Sequence, residues 1–371
     1  MKVGFHSPLP PARTGVADYS ATLLGGLRKR GEVEVNAKQA DIHLYHIGNN
    51  QLHLGIYRQA LEQPGVVVLH DAVLQHLFLG SLTQTQYIEE FVYNYGEWKR
   101  GRAEQLWAER AASATDERYF RFPMLKRIVA ASRAVIVHNA GAAGMVREHL
   151  PEARIFTIPH LFEPPAEIDP LAPMEFRRAR GIAVDGCLFG VFGFLRESKR
   201  RLNVLEAFAQ LRAALPNAAL LVAGEFVSND LERACAPLLA GPGVHRLPYL
   251  SERDFQVAAS AIDVCVNLRA PSAGETSGIA VRMMGIGKPM LLTEGPESKA
   301  FPAGAFLPVP AGIAERSALA DYMGILALNR PIRSEMGQAG IEGIGSLHSV
   351  DRVSSLYWNA LCSTVGLSAS A

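Results

Sequence analysis

Between the apolar run at 262–268 and the apolar run at 289–293 the chain has room for one loop and one short helix, and for little else. Both runs are bounded by turn residues and read as buried strands. Two strands joined through a helix form a parallel crossover, the building block of doubly wound sheets. The connecting stretch opens with Gly274-Glu275-Thr276-Ser277-Gly278 and closes with Gly287-Lys288-Pro289. Its helix starts at the carboxyl end of a strand, where free backbone N–H groups collect. Amides suit phosphates and hydroxyls, and the Glu275 carboxylate suits sugar hydroxyls or a developing cation.

The same alternation recurs along the chain. Runs at 2–6, 32–38, 42–47, 66–69, 134–138 and 154–159 read as strands of a first parallel sheet, with helical segments between them; those at 188–194, 219–224 and 245–250 open a second. A length of 371 residues with 49% hydrophobic residues is too much for one ordinary core and fits two domains. The proline-rich stretch 162–173 is the natural connection. Segment 82–122 differs in texture: Tyr87, Phe91, Tyr93, Tyr95, Trp98 and Trp107 alternate with charged residues at helical spacing. It reads as an insertion of amphipathic helices. Helices are also expected at 202–215, 313–328, 332–343 and 350–365, and the small-residue tail after Leu367 is expected to fray.

Lys and Arg total 37 against 36 Asp and Glu, which gives no global field for nucleic acid or an anionic membrane. A local cluster, Lys99-Arg100-Gly101-Arg102, leaves either a solvated helix face or a peripheral membrane contact open. Cys187, Cys235, Cys265 and Cys362 lack C-x-x-C spacing and read as reduced core thiols of a cytoplasmic protein. No apolar run approaches the length of a spanning helix, and no secretory leader is expected.

Ligands bind doubly wound sheets at the carboxyl ends of the strands, so the polar residues there are the candidates. In the first half these are His46, Asn49, His70 and Asp71, with the loop 7–15 ending at Gly15 before a helix. That loop is either an ordinary turn or an anion-friendly corner, and His70 either a structural hydrogen-bonding group or a site residue. In the second half Arg196 and Lys199 follow the run 188–194, where both can reach an anion such as a diphosphate leaving group. A G-x-G-x-x-G fingerprint is absent there, which discounts a nicotinamide dehydrogenase. No D-x-D pair and no His or Cys cluster has metal-ligand spacing, so no metal site and no cofactor is expected.

The order acidic residue, small residues, Gly278, short helix, Gly-Lys-Pro turn and apolar strand resembles the donor loop of the retaining glycosyltransferases of family four, the bacterial group 1 type. Ser7-Pro8-Leu9-Pro10-Pro11 with Thr14-Gly15-Val16-Ala17-Asp18-Tyr19-Ser20 resembles the first loop of the same enzymes. The family signature has a second Glu eight positions after the first; here that position is Met283. The resemblance implies a GT-B fold, two Rossmann-like α/β domains facing across a cleft: an acceptor domain at 1–165 with the insertion 82–122, a donor domain at 166–349, and a closing helix at 350–371 that packs back on the first.

It implies transfer of a hexosyl unit from a nucleotide diphosphate sugar to an acceptor hydroxyl, retaining and metal-independent, in bacterial surface polysaccharide or glycoconjugate synthesis. Glu275 would orient the donor sugar and His70 approach it as the catalytic pair. Arg196 and Lys199 would neutralise the diphosphate, with Gly15 against the diphosphate or the acceptor. Thr276, Ser277, Gly278 and Ile279 would line the donor sugar, and the main chain at Tyr249 and Leu250 the base. The implied partners are the nucleotide sugar and a saccharide or lipid-linked acceptor; no nucleic acid is implied. A nucleotide-sugar epimerase, a phosphorylase or a non-catalytic GT-B scaffold are the alternatives. The implied location is cytoplasmic, at the inner face of the membrane where the acceptor is lipid-linked.

Overall fold

The computed structural model describes residues 1–12 and 14–367; Arg13 in the predicted loop 7–15 and the tail predicted to fray lie outside the described residues. The chain divides into two compact units, the first comprising Met1–Leu161, Pro271–Thr276 and Leu347–Ala371, the second Phe162–Ala270 and Ser277–Ser346.

The first unit contains β1 Lys2–His6, α1 Gly15–Arg28, β2 Glu32–Val35, β3 Ile42–Ile47, α2 Leu54–Glu62, β4 Val66–Leu69, α3 Gln75–Ser81, α4 Gln84–Tyr95, α5 Arg100–Ala108, α6 Glu117–Phe120, α7 Lys126–Ala131, β5 Ala134–Val137, α8 Ala140–His149 and β6 Ile155–Thr157. The second contains α9 Ala172–Arg178, β7 Leu188–Phe192, α10 Arg201–Ala214, β8 Ala219–Ala223, α11 Asn229–Leu239, β9 Val244–Leu247, α12 Glu252–Ala261, β10 Val264–Asn267, α13 Gly278–Gly285, β11 Met290–Thr293, β12 Phe306–Val309, α14 Glu315–Leu328 and α15 Arg330–Leu347. The last helix, α16 Val350–Thr364, belongs to the first unit.

Each unit is built on one six-stranded sheet, in the orders β2-β1-β3-β4-β5-β6 and β12-β11-β10-β7-β8-β9. Every strand pairing among the described residues is parallel. Strands covered by helices on both faces need apolar side chains on both, and Val66–Leu69, Ala134–Val137 and Leu188–Phe192 are buried at every position. The orders reverse between β1 and β3 in one sheet and between β7 and β10 in the other. At such a reversal the helices diverge to opposite faces and leave a crevice at the carboxyl ends.

Helix starts are set by side-chain caps. Thr14 accepts the Ala17 N–H at 3.1 Å to begin α1, Asn139 accepts that of Ala142 at 2.8 Å to begin α8, and Thr83 with Gln86 forms a capping box on α4. In the first unit α16 lies against α1. A Cβ on Gly26 would stand 2.0 Å from Ser354 Oγ, so only glycine lets the two backbones come this close. Leu23, Leu27, Val353, Tyr357 and Leu361 are fully buried where these helices meet. Truncation of such a leucine to alanine costs about 2–5 kcal/mol.

Three details differ from the sequence reading. β2 stops at Val35 instead of running to Lys38, because Asn36 takes a left-handed conformation (φ 53°) and turns the chain directly into β3 without a helix. β12 was not anticipated; its exposed Pro308 and half-buried Phe306 and Leu307 suit an edge strand and weaken the apolar pattern. Segment 82–122 is helical, yet Tyr87, Phe91, Leu106 and Tyr119 are fully buried in the core of the first unit. Trp98, by contrast, is 79% exposed. The four cysteines are buried and unpaired, as expected.

Candidate active site

In the first unit a histidine stands at the end of one strand after another: His6 closes β1, His46 lies in β3, and His70 and His138 follow β4 and β5. His160 comes three residues after β6. His6 lies against His43 and Tyr45, while the other four rings gather around Tyr19 of α1, whose centroid lies 6.2 Å from that of His46, 5.0 Å from His70, 5.3 Å from His138 and 4.7 Å from His160. His46 and His70 stack at 5.2 Å, with His46 Nδ1 2.9 Å from His70 Nε2. Tyr19 donates through its hydroxyl to the Tyr357 hydroxyl on α16 at 2.8 Å. Burial, followed by the neighbouring imidazoles, holds His46 and His70 well below the usual 6.5, and burial brings His138 down to about 4. At neutral pH His46, His70 and His138 are therefore uncharged.

Beside it the loops after β3 and β4 are tied together, with Asp71 Oδ2 accepting the Asn49 N–H at 2.8 Å and Asn49 Oδ1 that of Leu77 at 3.0 Å. The segment Pro271–Thr276 joins the same unit. The Ala72 N–H donates to the Ala273 carbonyl at 2.7 Å, and Asn139 Nδ2 donates to the Gly274 carbonyl at 2.9 Å and to Thr276 Oγ1 at 3.0 Å. Gly274 has φ 75°, and a Cβ there would stand 2.8 Å from that of Ala72. Glycine is thus required for the loop to reach the end of β4. Glu275 and His70 are in this way brought to one side of one unit. The Glu275 carboxylate also braces its own loop, accepting the Ala273 N–H at 2.8 Å. At Gly15, the first residue of α1, a Cβ would meet nothing within 4 Å; the fold itself does not demand glycine there.

The second unit presents cations at its strand ends. Lys199 lies in a short turn after β7, with Nζ 3.4 Å from where a Cβ of Gly193 would be, directly above the end of that strand. The loop after β10 is fastened to this turn through the Ala270 N–H and the Ser198 carbonyl at 2.8 Å. Lys199 therefore sits at the crevice between β7 and β10. Arg196 is exposed, its guanidinium 5.9 Å from the ring of Phe194. Phe194 in turn lies 6.4 Å from half-exposed Tyr249, and half-buried Leu250, the residue after Tyr249, packs on the core.

Ser277 is buried and already occupied. Its hydroxyl accepts from Asn267 Nδ2 at 2.9 Å, Arg269 Nη2 at 3.2 Å and the Ala280 N–H at 3.3 Å, which caps α13. Gly278 opens that helix and Ile279 packs on the core. Met283 is fully buried among apolar side chains of the same unit, so a carboxylate at this position would face the core. Its neighbour Arg282 faces outward, pairing with Glu252 and lying 4.0 Å from the Phe255 ring.

Two groups escaped the sequence reading. Arg201 is buried, donates to the Phe192 carbonyl at 3.3 Å, and has Nε and Nη1 without a partner; burial lowers its pKa to about 9. Nothing in a basic run at a helix start distinguishes it from the exposed Arg196. The recurrence of histidine at strand ends, by contrast, was readable, since runs ending Val-Leu-His, Ile-Val-His and Ile-Pro-His repeat within the first half.

Two all-parallel, doubly wound units with helices on both sheet faces make this the GT-B fold. Solved structures share it. HepE of Anabaena, in complex with UDP and glucose, matches with a TM-score of 0.65 and 14% identity over 98% of this chain and 100% of that one. A sucrose-phosphate synthase of Thermosynechococcus elongatus matches with a TM-score of 0.66 and 15% identity over 98% and 100%. WaaG, a glycosyltransferase involved in lipopolysaccharide biosynthesis, matches with a TM-score of 0.63 and 14% identity over 97% and 99%. At these identities the likeness is one of fold. No protein-family model and no curated protein matches the chain.

Proposed function

We propose that the chain is a retaining glycosyltransferase that moves a hexosyl unit from a nucleoside diphosphate sugar to an acceptor hydroxyl. The observation that carries this reading is Lys199, held above the end of β7 at the crevice of the second sheet, with Arg196 on the same turn. An anion of two phosphates suits that corner, and the developing negative charge of a departing diphosphate is what fixed cations stabilise. Phe194, Tyr249 and the main chain at Leu250 would receive the base. In the first unit Glu275 and neutral His70 would meet the sugar hydroxyls and Gly15 would leave space for the diphosphate or the acceptor; Thr276 of the first unit and Ser277, Gly278 and Ile279 of the second would supply backbone contacts to the sugar.

In the reaction the bond between the anomeric carbon and the diphosphate oxygen breaks, and the acceptor oxygen bonds to that carbon on the same face. The acceptor proton passes to the departing phosphate oxygen, and the nucleoside diphosphate leaves. Lys199 and Arg196 supply the compensating charge in this scheme without a metal ion. A saccharide or lipid-linked acceptor in surface glycoconjugate synthesis completes the reading. Among the described residues no helix is long and apolar enough to cross a membrane. In this reading a lipid-linked acceptor would be met through a peripheral contact at the inner surface.

The test is a thermal-shift and product screen against UDP-, GDP-, ADP- and dTDP-sugars, with and without chelator. HepE, whose structures are described with UDP, with UDP and glucose and with UDP-glucose, makes UDP-glucose the first donor to try. Binding of one donor raises the melting temperature in proportion to its excess over Kd. Release of nucleoside diphosphate in chelator, lost in Lys199→Ala, supports the proposal. An altered sugar still attached to the nucleotide indicates an epimerase instead, and no binding of any nucleotide sugar leaves a scaffold role.

A further inference from the structure

His46 is fully buried and touches no surface, yet one ring nitrogen faces His70 at hydrogen-bond distance: Nδ1 of His46 lies 2.9 Å from Nε2 of His70. Two neutral imidazoles so placed share one proton, which belongs either to His46 Nδ1 or to His70 Nε2. The rest of the His46 ring decides between them. Its Nε2 is buried with no hydrogen-bond partner. Were His70 the donor, neutral His46 would carry its own proton on that Nε2, leaving a buried N–H with nothing to accept it. An orphaned buried donor is the rarer and costlier fault; an unfilled lone pair is better tolerated. His46 is therefore the donor through Nδ1, and His70, accepting at Nε2, carries its single proton on Nδ1.

The His46 ring is held for this task. Phe5 lies against it at 4.8 Å and Tyr357 runs nearly parallel to it at 6.5 Å. His53 donates through Nδ1 to the His46 carbonyl at 2.9 Å. The titratable groups facing the pair are His6, His53, His138 and His160 with Tyr19 and Tyr357, and His138 donates through Nδ1 to the Ile158 carbonyl at 3.0 Å. None of these is a carboxylate that would draw a second proton onto the pair.

We infer that His46 is a positioning residue that fixes His70 in the Nδ1–H tautomer, so that His70 meets the transferred sugar as a hydrogen-bond donor and not as a base. This rests on the reading of His70 as a sugar-facing group; the tautomer itself does not. A second ring nitrogen commonly sets the state of a functional histidine in this way.

The test is long-range proton–nitrogen NMR on the full-length chain labelled with ¹⁵N-histidine, with His70 assigned by His70→Gln. The expected result at neutral pH is a protonated Nδ1 and a lone-pair Nε2 on His70. In His46→Leu that pattern is expected to give way to a mixture of tautomers, whereas His46→Asn, which keeps an N–H near the position of Nδ1, is expected to restore it. With UDP-glucose or the donor found in the screen, His46→Leu should lower kcat by about 10–100-fold with KM changed little, and His46→Asn should recover most of it. A protonated Nε2 on His70 in the wild type overturns the inference, whether or not any variant folds. An unchanged His70 tautomer in folded His46→Leu overturns it equally. If no donor binds while the tautomer is as expected, the glycosyltransferase reading has failed and the pairing of the two histidines stands.

Discussion

The strand ends of the first unit carry imidazoles and those of the second carry cations, although both sheets have six parallel strands and the same kind of switch point. In the first, His46, His70 and His138 are buried, packed ring against ring and held neutral by their surroundings. In the second, Lys199 and Arg196 keep access to solvent on a turn that the sheet only partly covers. Burial explains the difference. An imidazole gives up its charge at small cost when desolvated, and it then offers directional hydrogen bonds suited to hydroxyls. An ammonium or guanidinium retains its charge best where water still reaches it, and there it suits phosphate.

The largest effect that would sharpen this contrast is expected at Lys199. Lys199→Ala should lower kcat by about 10²–10³-fold with the donor turned over by the wild type, as loss of one fixed charge-stabilising donor commonly does. A change below about threefold in steady-state kinetics would remove the contrast on the cationic side. Exposed Arg196 is more screened, and Arg196→Ala should cost less than Lys199→Ala, about tenfold, with the excess shrinking as salt is raised.

Next in size is the loop that brings Glu275 to the histidine side. Gly274→Ala puts a Cβ on a residue with φ 75° and 2.8 Å from Ala72 Cβ. Chemical denaturation should show a loss of about 1–3 kcal/mol, the usual cost of strain at such a position. Unaltered stability would mean that the loop is free to leave the end of β4.

The neutral histidines also set an acid limit. His138 and His6 titrate near 4 in the folded protein against 6.5 ordinarily, mainly through burial, with His43 a further cause at His6. Between those values the unfolded chain binds more protons than the folded one, so stability is full above about pH 6.5 and falls as pH drops towards about 4. His138→Gln should make that limb of the stability profile shallower by about one proton. An unchanged slope would show that His138 is protonated in the fold. The smallest effect is expected for Tyr357→Phe, which removes the acceptor of the Tyr19 hydroxyl and should cost about 1 kcal/mol.

Much of this was legible beforehand. The runs at 66–69, 134–138 and 188–194 are apolar at successive positions, the pattern of parallel strands covered on both faces, and their shortness and bounding turn residues set them apart from helices. The loop before α13 could be placed because its glycine, its serine cap and its closing Gly-Lys-Pro turn act locally. Where tertiary context dominates, the reading faltered. β12 has a proline and an exposed face, and it is a strand because β11 stands beside it. Tyr87 and Phe91 carry a helical pattern that fits a free surface helix as well as a buried one, and packing against the first core decides which. Met283 read as a missing carboxylate, yet its position on α13 turns it into the core.

By itself the sequence determined two doubly wound sheets, the strand ends where ligands bind such sheets, and the acidic, small-residue loop before α13. These follow from short-range rules: side-chain periodicity, caps and the limits of proline and glycine. Only the tertiary structure decided that His46 hydrogen-bonds His70, that Asn139 holds the Gly274 carbonyl and Thr276, and that Arg201 is buried while Arg196 is not. Those pairings join residues 24, 135 and 137 positions apart or depend on which neighbour covers a side chain. Local preference carries no record of either; each is settled when the elements pack and every buried polar group must find its partner.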